Sequence, residues 1–134
     1  NVLARYYVDD AGDAEAKRQR QRLAARRLID SGPALMVSKT VVLELEWVMR
    51  GYYGFTQTEV GSVLRHLLGL THVTVEGREA VEQALANSEA GLDFADALHH
   101  ASYRACISVA TFDDRRFARR AKRLGLAPAV TVLA

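Results

Sequence analysis

One cysteine in 134 residues leaves no partner for an intrachain disulfide, so Cys106 fits a chain that works in a reducing cytosol. Its neighbours Ile107 and Val109 predict a buried, structural thiol. No apolar run approaches the roughly 20 residues needed to cross a bilayer, which argues against a membrane partner and for a cytoplasmic protein. There is no low-complexity tract and no internal repeat, which excludes solenoids and linker-type disorder. The first residue is not Met, so residues upstream of Asn1 are expected. Net charge is also nearly absent, at +2. What remains, 49% hydrophobic and 25% charged residues, is the composition of an ordinary globular domain of this length.

The charge that is present is unevenly placed. Twelve of the 18 basic residues fall in two segments, Lys17 to Arg27 and Arg115 to Arg123. Two basic helices suit a polyanionic partner better than the net charge does, although two solvated helix faces would read the same way. Between Glu76 and Asp96 the balance reverses, with six acids and one arginine.

The most informative stretch is Leu92 to Phe117, LDFADALHHASYRACISVATFDDRRF. Asp93-Phe-Ala-Asp96 opens a helical pattern, and Ile107 to Thr111 reads as a short buried strand. Asp113 and Asp114 follow that strand and precede another helix. In an open α/β sheet, ligands bind just beyond the carboxyl ends of strands. Acids gathered there repel one another unless a cation or a proton intervenes. An oxygen-only pocket of that kind suits Mg²⁺ or Mn²⁺. Three of these acids also have a structural explanation. Asp93 caps a helix with Asp96 at its third position, and Asp114 is a first-turn acid favoured by the helix dipole.

Along the chain, Asn1 to Val8 reads as the tail of a strand running into a short helical turn. Asp13 is a candidate cap for a helix ending at Asp30, where Ser31-Gly32-Pro33 stops it. Ala34 to Val37 is a short buried strand, and Ser38 caps a helix over Lys39 to Tyr53. On that helix the stripe Val41, Leu45, Val48 and Tyr52 predicts Glu44 at the protein's inner edge and Glu46 in solvent. A half-buried Glu44 needs a metal or a cationic side chain as partner. Trp47, Tyr52, Tyr53 and Phe55 read as core or interface packing. Thr56 to Glu59 is a capping box opening a helix to about Leu68. His72 to Val75 is a strand, Arg78 to Asn87 a helix, Arg115 to Leu124 another, and Val130 to Leu133 a closing strand. His99 and His100 read as surface or interface residues, and His66 and His72 join no constellation. Alternating strands and helices imply a parallel sheet covered on both faces.

Four segments together resemble the PIN-domain family, and closely its VapC-type toxins. They are Asn1-Val2-Leu3, Val42 to Val48 (VLELEWV), Asp93 to Leu98 (DFADAL) and Thr111-Phe112-Asp113. The resemblance covers nearly the whole chain. It implies one domain over 1–134, a three-layer α/β/α sandwich with a mainly parallel central sheet. The family's first strand and first Asp are expected upstream of Asn1. It further implies a Mg²⁺- or Mn²⁺-dependent endoribonuclease that cleaves cellular RNA, forms a homodimer and is neutralised by a cognate VapB-type antitoxin. Glu44, Asp96 and Asp113 match the catalytic, metal-binding acids, with Asp93 and Asp114 as further candidates. Thr111 and Asn1 match supporting positions. Arg115, Arg116, Arg119 and Arg120 would hold RNA phosphates.

Two other readings stand beside this one. A phosphate-receiving signalling domain also gathers acids around Mg²⁺, but needs a Lys at the end of its last strand, and Thr131 to Ala134 has none. The alternative is a catalytically silent module of the same fold that binds nucleic acid or a protein partner.

Overall fold

The computed structural model describes residues 2–8 and 16–134. It divides into two compact units, 1–76 and 77–134. Each contains helices and one pair of parallel strands, so the chain is α/β.

The first unit opens on helix α1 (Val2–Tyr7), which takes the place of the expected strand tail as well as of the short helical turn after it, followed by α2 (Ala16–Asp30). The expected cap Asp13 and the supporting Asn1 lie outside the described residues. Strand β1 (Leu35–Val37) pairs in parallel with β2 (Val73–Val75), Leu35 opposite Val73. Between them run α3 (Lys39–Trp47), which widens into a π-helical turn over Val48–Tyr52, and α4 (Gln57–Gly69). Local chemistry sets the starts of both helices. Ser38 accepts a hydrogen bond from the Val41 amide. Thr56 and Glu59 satisfy each other's backbone amides as the capping box predicts. Val42, Met49, Leu64 and Leu67 are almost completely buried. Each such side chain contributes roughly 1.5–3 kcal/mol relative to exposure.

The second unit holds α5 (Arg78–Glu89), α6 (Phe94–Ser102), β3 (Ser108–Thr111), a π-helical turn at Asp114–Ala118 running into α7 (Arg119–Arg123), and β4 (Ala129–Val132). β3 and β4 are parallel, with Val109 opposite Val130. The helices α5 and α6 pack closely, and Val81, Ala84, Leu85, Phe94, Ala97 and Leu98 on them are buried. Gly91 makes the turn between them. At φ 113° it sits where a side chain would be strained, and an added Cβ would lie 3.5 Å from Nη2 of Arg123.

The structure corrects several expectations of burial. Both sheets alternate covered and open residues: Met36 is 68% exposed, and Val109 is buried between exposed Ser108 and Ala110. Neither sheet is therefore covered on both faces, and Ile107, just ahead of β3, is 98% exposed. Cys106 is exposed as well, because it sits in the turn closed by its amide on the Tyr103 carbonyl, before the strand begins. Trp47 and Tyr52 are 60% and 74% exposed and do not belong to the core. His100, expected at the surface, is buried.

Candidate active site

α6 begins where Asp93, in extended conformation, accepts from the backbone amides of Ala95 and Asp96. That cap fixes the first turn and places Asp96 one turn into the helix, half-buried beside Ala97 and Leu98. β3 delivers the second acid. At its carboxyl end the Thr111 hydroxyl accepts from the Asp113 amide at 3.0 Å, and Asp113 Oδ1 accepts from the Arg116 amide at 2.8 Å. Thr111 thus acts on the turn that carries Asp113. Asp114 is turned towards its own helix, with a loose contact of 3.9 Å to Arg119. The first-turn reading of Asp114 fits that geometry better than a role as ligand.

The acids sense one another. Burial, and after it the charges of Asp93 and Asp113, push the Asp96 carboxyl above the usual carboxylate range, while His99 and Arg120 pull the other way. Among the described residues Asp96 forms no ion pair, so no arginine neutralises it directly. Nor does any group of three or more His, Cys, Asp or Glu among them stand close enough to cage a metal. The acids of this unit are close enough to raise each other's electrostatic energy and too far apart to wrap a cation alone. Mg²⁺ tolerates that arrangement, since it keeps several waters and is commonly held by one or two carboxylates plus substrate phosphate.

Glu44 belongs to the first unit, and here the sequence reading is reversed. Glu44 is exposed and Glu46 is 4% exposed. The buried stripe of α3 runs through Val42, Leu45, Glu46 and Met49, rotated by about 80° from the expected one at about 100° per residue. Apolar side chains occupy nearly every position from Val41 to Met49, so spacing alone supports either stripe. What permits the observed one is Arg50, whose Nε meets Glu46 Oε1 at 2.7 Å one turn on. Glu44 lines a small cavity of about 120 Å³ with Leu3, Arg5, Val41 and Val48. That exposure leaves its carboxylate open to a ligand.

Of the basic residues, Arg115, Arg116 and Arg119 are exposed, while Arg120 is partly buried and acts on Asp96. The expectation of a phosphate contact therefore fits Arg120 less well. Two features had no sequence signal. His100 is buried with its Nε2 at 2.8 Å from the Pro128 carbonyl, and Tyr7 meets His66 Nδ1 at 2.8 Å. Both depend on partners far away along the chain.

The family model for the PIN domain matches residues 1–123. The chain belongs to the PIN-domain family. PIN domains have a nuclease-type fold and typically use divalent metal ions. No curated protein and no solved structure matches the chain. Among the described residues of this PIN domain, no helix is long and apolar enough to cross a membrane.

Proposed function

We propose that this PIN domain is a Mg²⁺- or Mn²⁺-dependent endoribonuclease of the VapC toxin type, acting on cellular RNA in the cytoplasm as a homodimer and silenced by a VapB-type antitoxin. The observation that carries the reading is the raised carboxyl of Asp96 beside Asp93 and Asp113, at the carboxyl end of a parallel strand. A carboxylate raised by burial and by like charges at a strand's carboxyl end is a candidate for a working site.

Asp96 and Asp113 would hold the cation, and Glu44 is the candidate acid of the first unit. When bound, a divalent cation supplies charge neutralisation and a more acidic water for hydrolysis of a phosphodiester bond. The chain's own contribution is orientation. Asp93 and Asp113 each commit an oxygen to a backbone amide, and Thr111 holds the turn, so the carboxylates meet the phosphate already placed. The exposed Arg115, Arg116 and Arg119 bind flanking phosphates and make affinity fall as salt rises.

The test is cleavage of labelled RNA by the full-length protein with Mn²⁺, with and without chelator, beside Asp96→Asn checked for folding by circular dichroism. Metal-dependent cutting that Asp96→Asn abolishes supports the enzyme. The second reading is a PIN-like module that binds RNA or a partner without cutting. Folded protein that binds RNA but never cleaves it would establish that reading instead.

A further inference from the structure

Away from the acids, α5, α6 and the loop before β4 enclose a cavity of about 510 Å³, within the range of small-molecule sites. Its polar lining comes from Glu79, Glu82, Gln83, Asn87, His100 and Arg104. Two of these are more than nine-tenths buried, Asn87 at 7% and His100 at 3% exposure. A carbonyl can only accept, so His100 Nε2 donates to Pro128, and in the neutral ring Nδ1 is left as an acceptor. Asn87 Oδ1 accepts from Gln83 Nε2 at 3.0 Å, which leaves its amide NH₂ as a donor. Neither leftover group has a partner among the described residues, and no enclosed side-chain N or O there is unsatisfied. Both groups are therefore accessible rather than enclosed, and both side chains line the cavity.

We propose that this cavity binds a nucleobase carrying a lactam edge, a ring carbonyl next to a ring N–H, as in uracil and guanine. The Asn87 amide donates to the carbonyl and His100 Nδ1 accepts from the N–H. A trans peptide amide points these two groups in opposite directions, whereas a ring amide presents them on one edge. Charge at the mouth selects the base over its phosphate. Arg104 is held by Glu79 at 2.6 Å, and Glu82 is engaged by Arg78 at 2.8 Å, so the cavity offers no free cation among its lining residues. His100 lies one helical turn from Asp96, about 6 Å along the axis, which brings a base held here within reach of a strand whose phosphate lies at the acids. The inference rests on the ribonuclease reading only for the RNA that supplies the base. Recognition of a displaced base through its Watson–Crick edge needs no catalysis.

The test is a nuclear magnetic resonance titration of the full-length protein with uridine, inosine, cytidine, adenosine, N-methylacetamide and inorganic phosphate. Uridine and inosine are expected to shift the amide signals around Asn87, His100 and Leu126 near about 1 mM. Cytidine and adenosine carry the opposite edge, a ring acceptor beside an exocyclic NH₂, and should be at least about tenfold weaker, because they reach both groups only if the base turns over in the cavity. Ala86→Phe, at an exposed position on the rim, should abolish the shifts without unfolding the protein, and Asn87→Leu should do so by removing the donor. No shifts with any nucleoside, equal shifts with all four, shifts equally strong with N-methylacetamide or phosphate, or shifts that survive Ala86→Phe would each overturn the proposal. Nucleoside binding without RNA cleavage sinks the nuclease reading and leaves this site standing. Cleavage without nucleoside binding does the opposite.

Discussion

Two glutamates two residues apart on α3 have opposite circumstances, and exchanging each for glutamine separates stability from chemistry. Glu46 is 4% exposed and holds Arg50 at 2.7 Å, while the Arg50 side chain is 48% exposed. Breaking a fully buried ion pair by removing one partner costs about 3–5 kcal/mol. Water reaching the half-exposed guanidinium screens this pair, so Arg50→Met is expected to cost about 1–3 kcal/mol. In a domain of this size that lowers Tm by roughly 4–12 °C. Glu46→Gln keeps the shape and an acceptor for Arg50, and should cost about 0.5–1.5 kcal/mol while leaving RNA cleavage intact. Glu44→Gln, at an exposed position, should change stability by less than about 0.5 kcal/mol and lose cleavage. Thermal unfolding by circular dichroism and Mn²⁺-dependent cleavage on the same three preparations decide it. If Glu46→Gln abolished cutting at unchanged Tm, or Arg50→Met left Tm within about 1 °C, the orientation of α3 argued above would be wrong.

The remaining expectations concern the acids, the tyrosines and the arginines. Asp96→Asn should lower cleavage by about 100-fold or more. It should also stabilise the fold at pH 7. With its folded pKa raised, Asp96 binds its proton more readily in the native state, so the stability it withholds is lost as pH rises from the unfolded value through the folded one. The advantage of the variant should accordingly shrink on acidification, and stability curves at pH 4 and 7 check this. Tyr7→Phe should cost about 0.5–1.5 kcal/mol by removing the bond to His66. Burial pushes the Tyr7 phenol up from its usual value of 10.0, so the native state weakens as pH rises above that value. Denaturant titrations should show this alkaline loss reduced in the variant. Replacing Arg115, Arg116 and Arg119 by Ala should weaken binding to single-stranded RNA and reduce the slope of log K against log salt by about 2. An unchanged slope would remove the arginines from the RNA path.

Much of this arrangement was legible in the residue order because caps are local chemistry. Ser38, Thr56 with Glu59, and Asp93 each satisfy amides two or three residues on, so spacing alone predicts them. The alternation of helices and parallel strands was equally readable. Which face an element buries was not, because that depends on what packs against it. α3 had too many apolar positions to choose its own stripe, and Glu46 enters the interior only because Arg50 lies one turn away. Cys106 and Ile107 have the composition of a core strand but sit in and beside the turn that precedes it. At the site, the local halves of the acid cluster could be read: Asp93 with Asp96 on one helix start, and Thr111 with Asp113 on one turn. The placement of Asn87 and His100 around a shared cavity could not, since the Pro128 carbonyl that orients the imidazole is 28 residues away.

The six residues of α1 are too few to stay helical alone, and they are fastened from outside. Tyr6 donates to Asp30 at 2.5 Å, Arg5 to Gln21 at 3.1 Å, and Tyr7 meets His66 on α4. The same short helix supplies Leu3 and Arg5 to the hollow on which Glu44 borders. The surroundings of Glu44 are thus hung from a hydroxyl, a ring and a carboxylate, none of which lines that hollow. A damaging substitution at Asp30 or His66 would be felt first at Glu44, and a screen for loss of activity would find it outside the hollow that Glu44 lines.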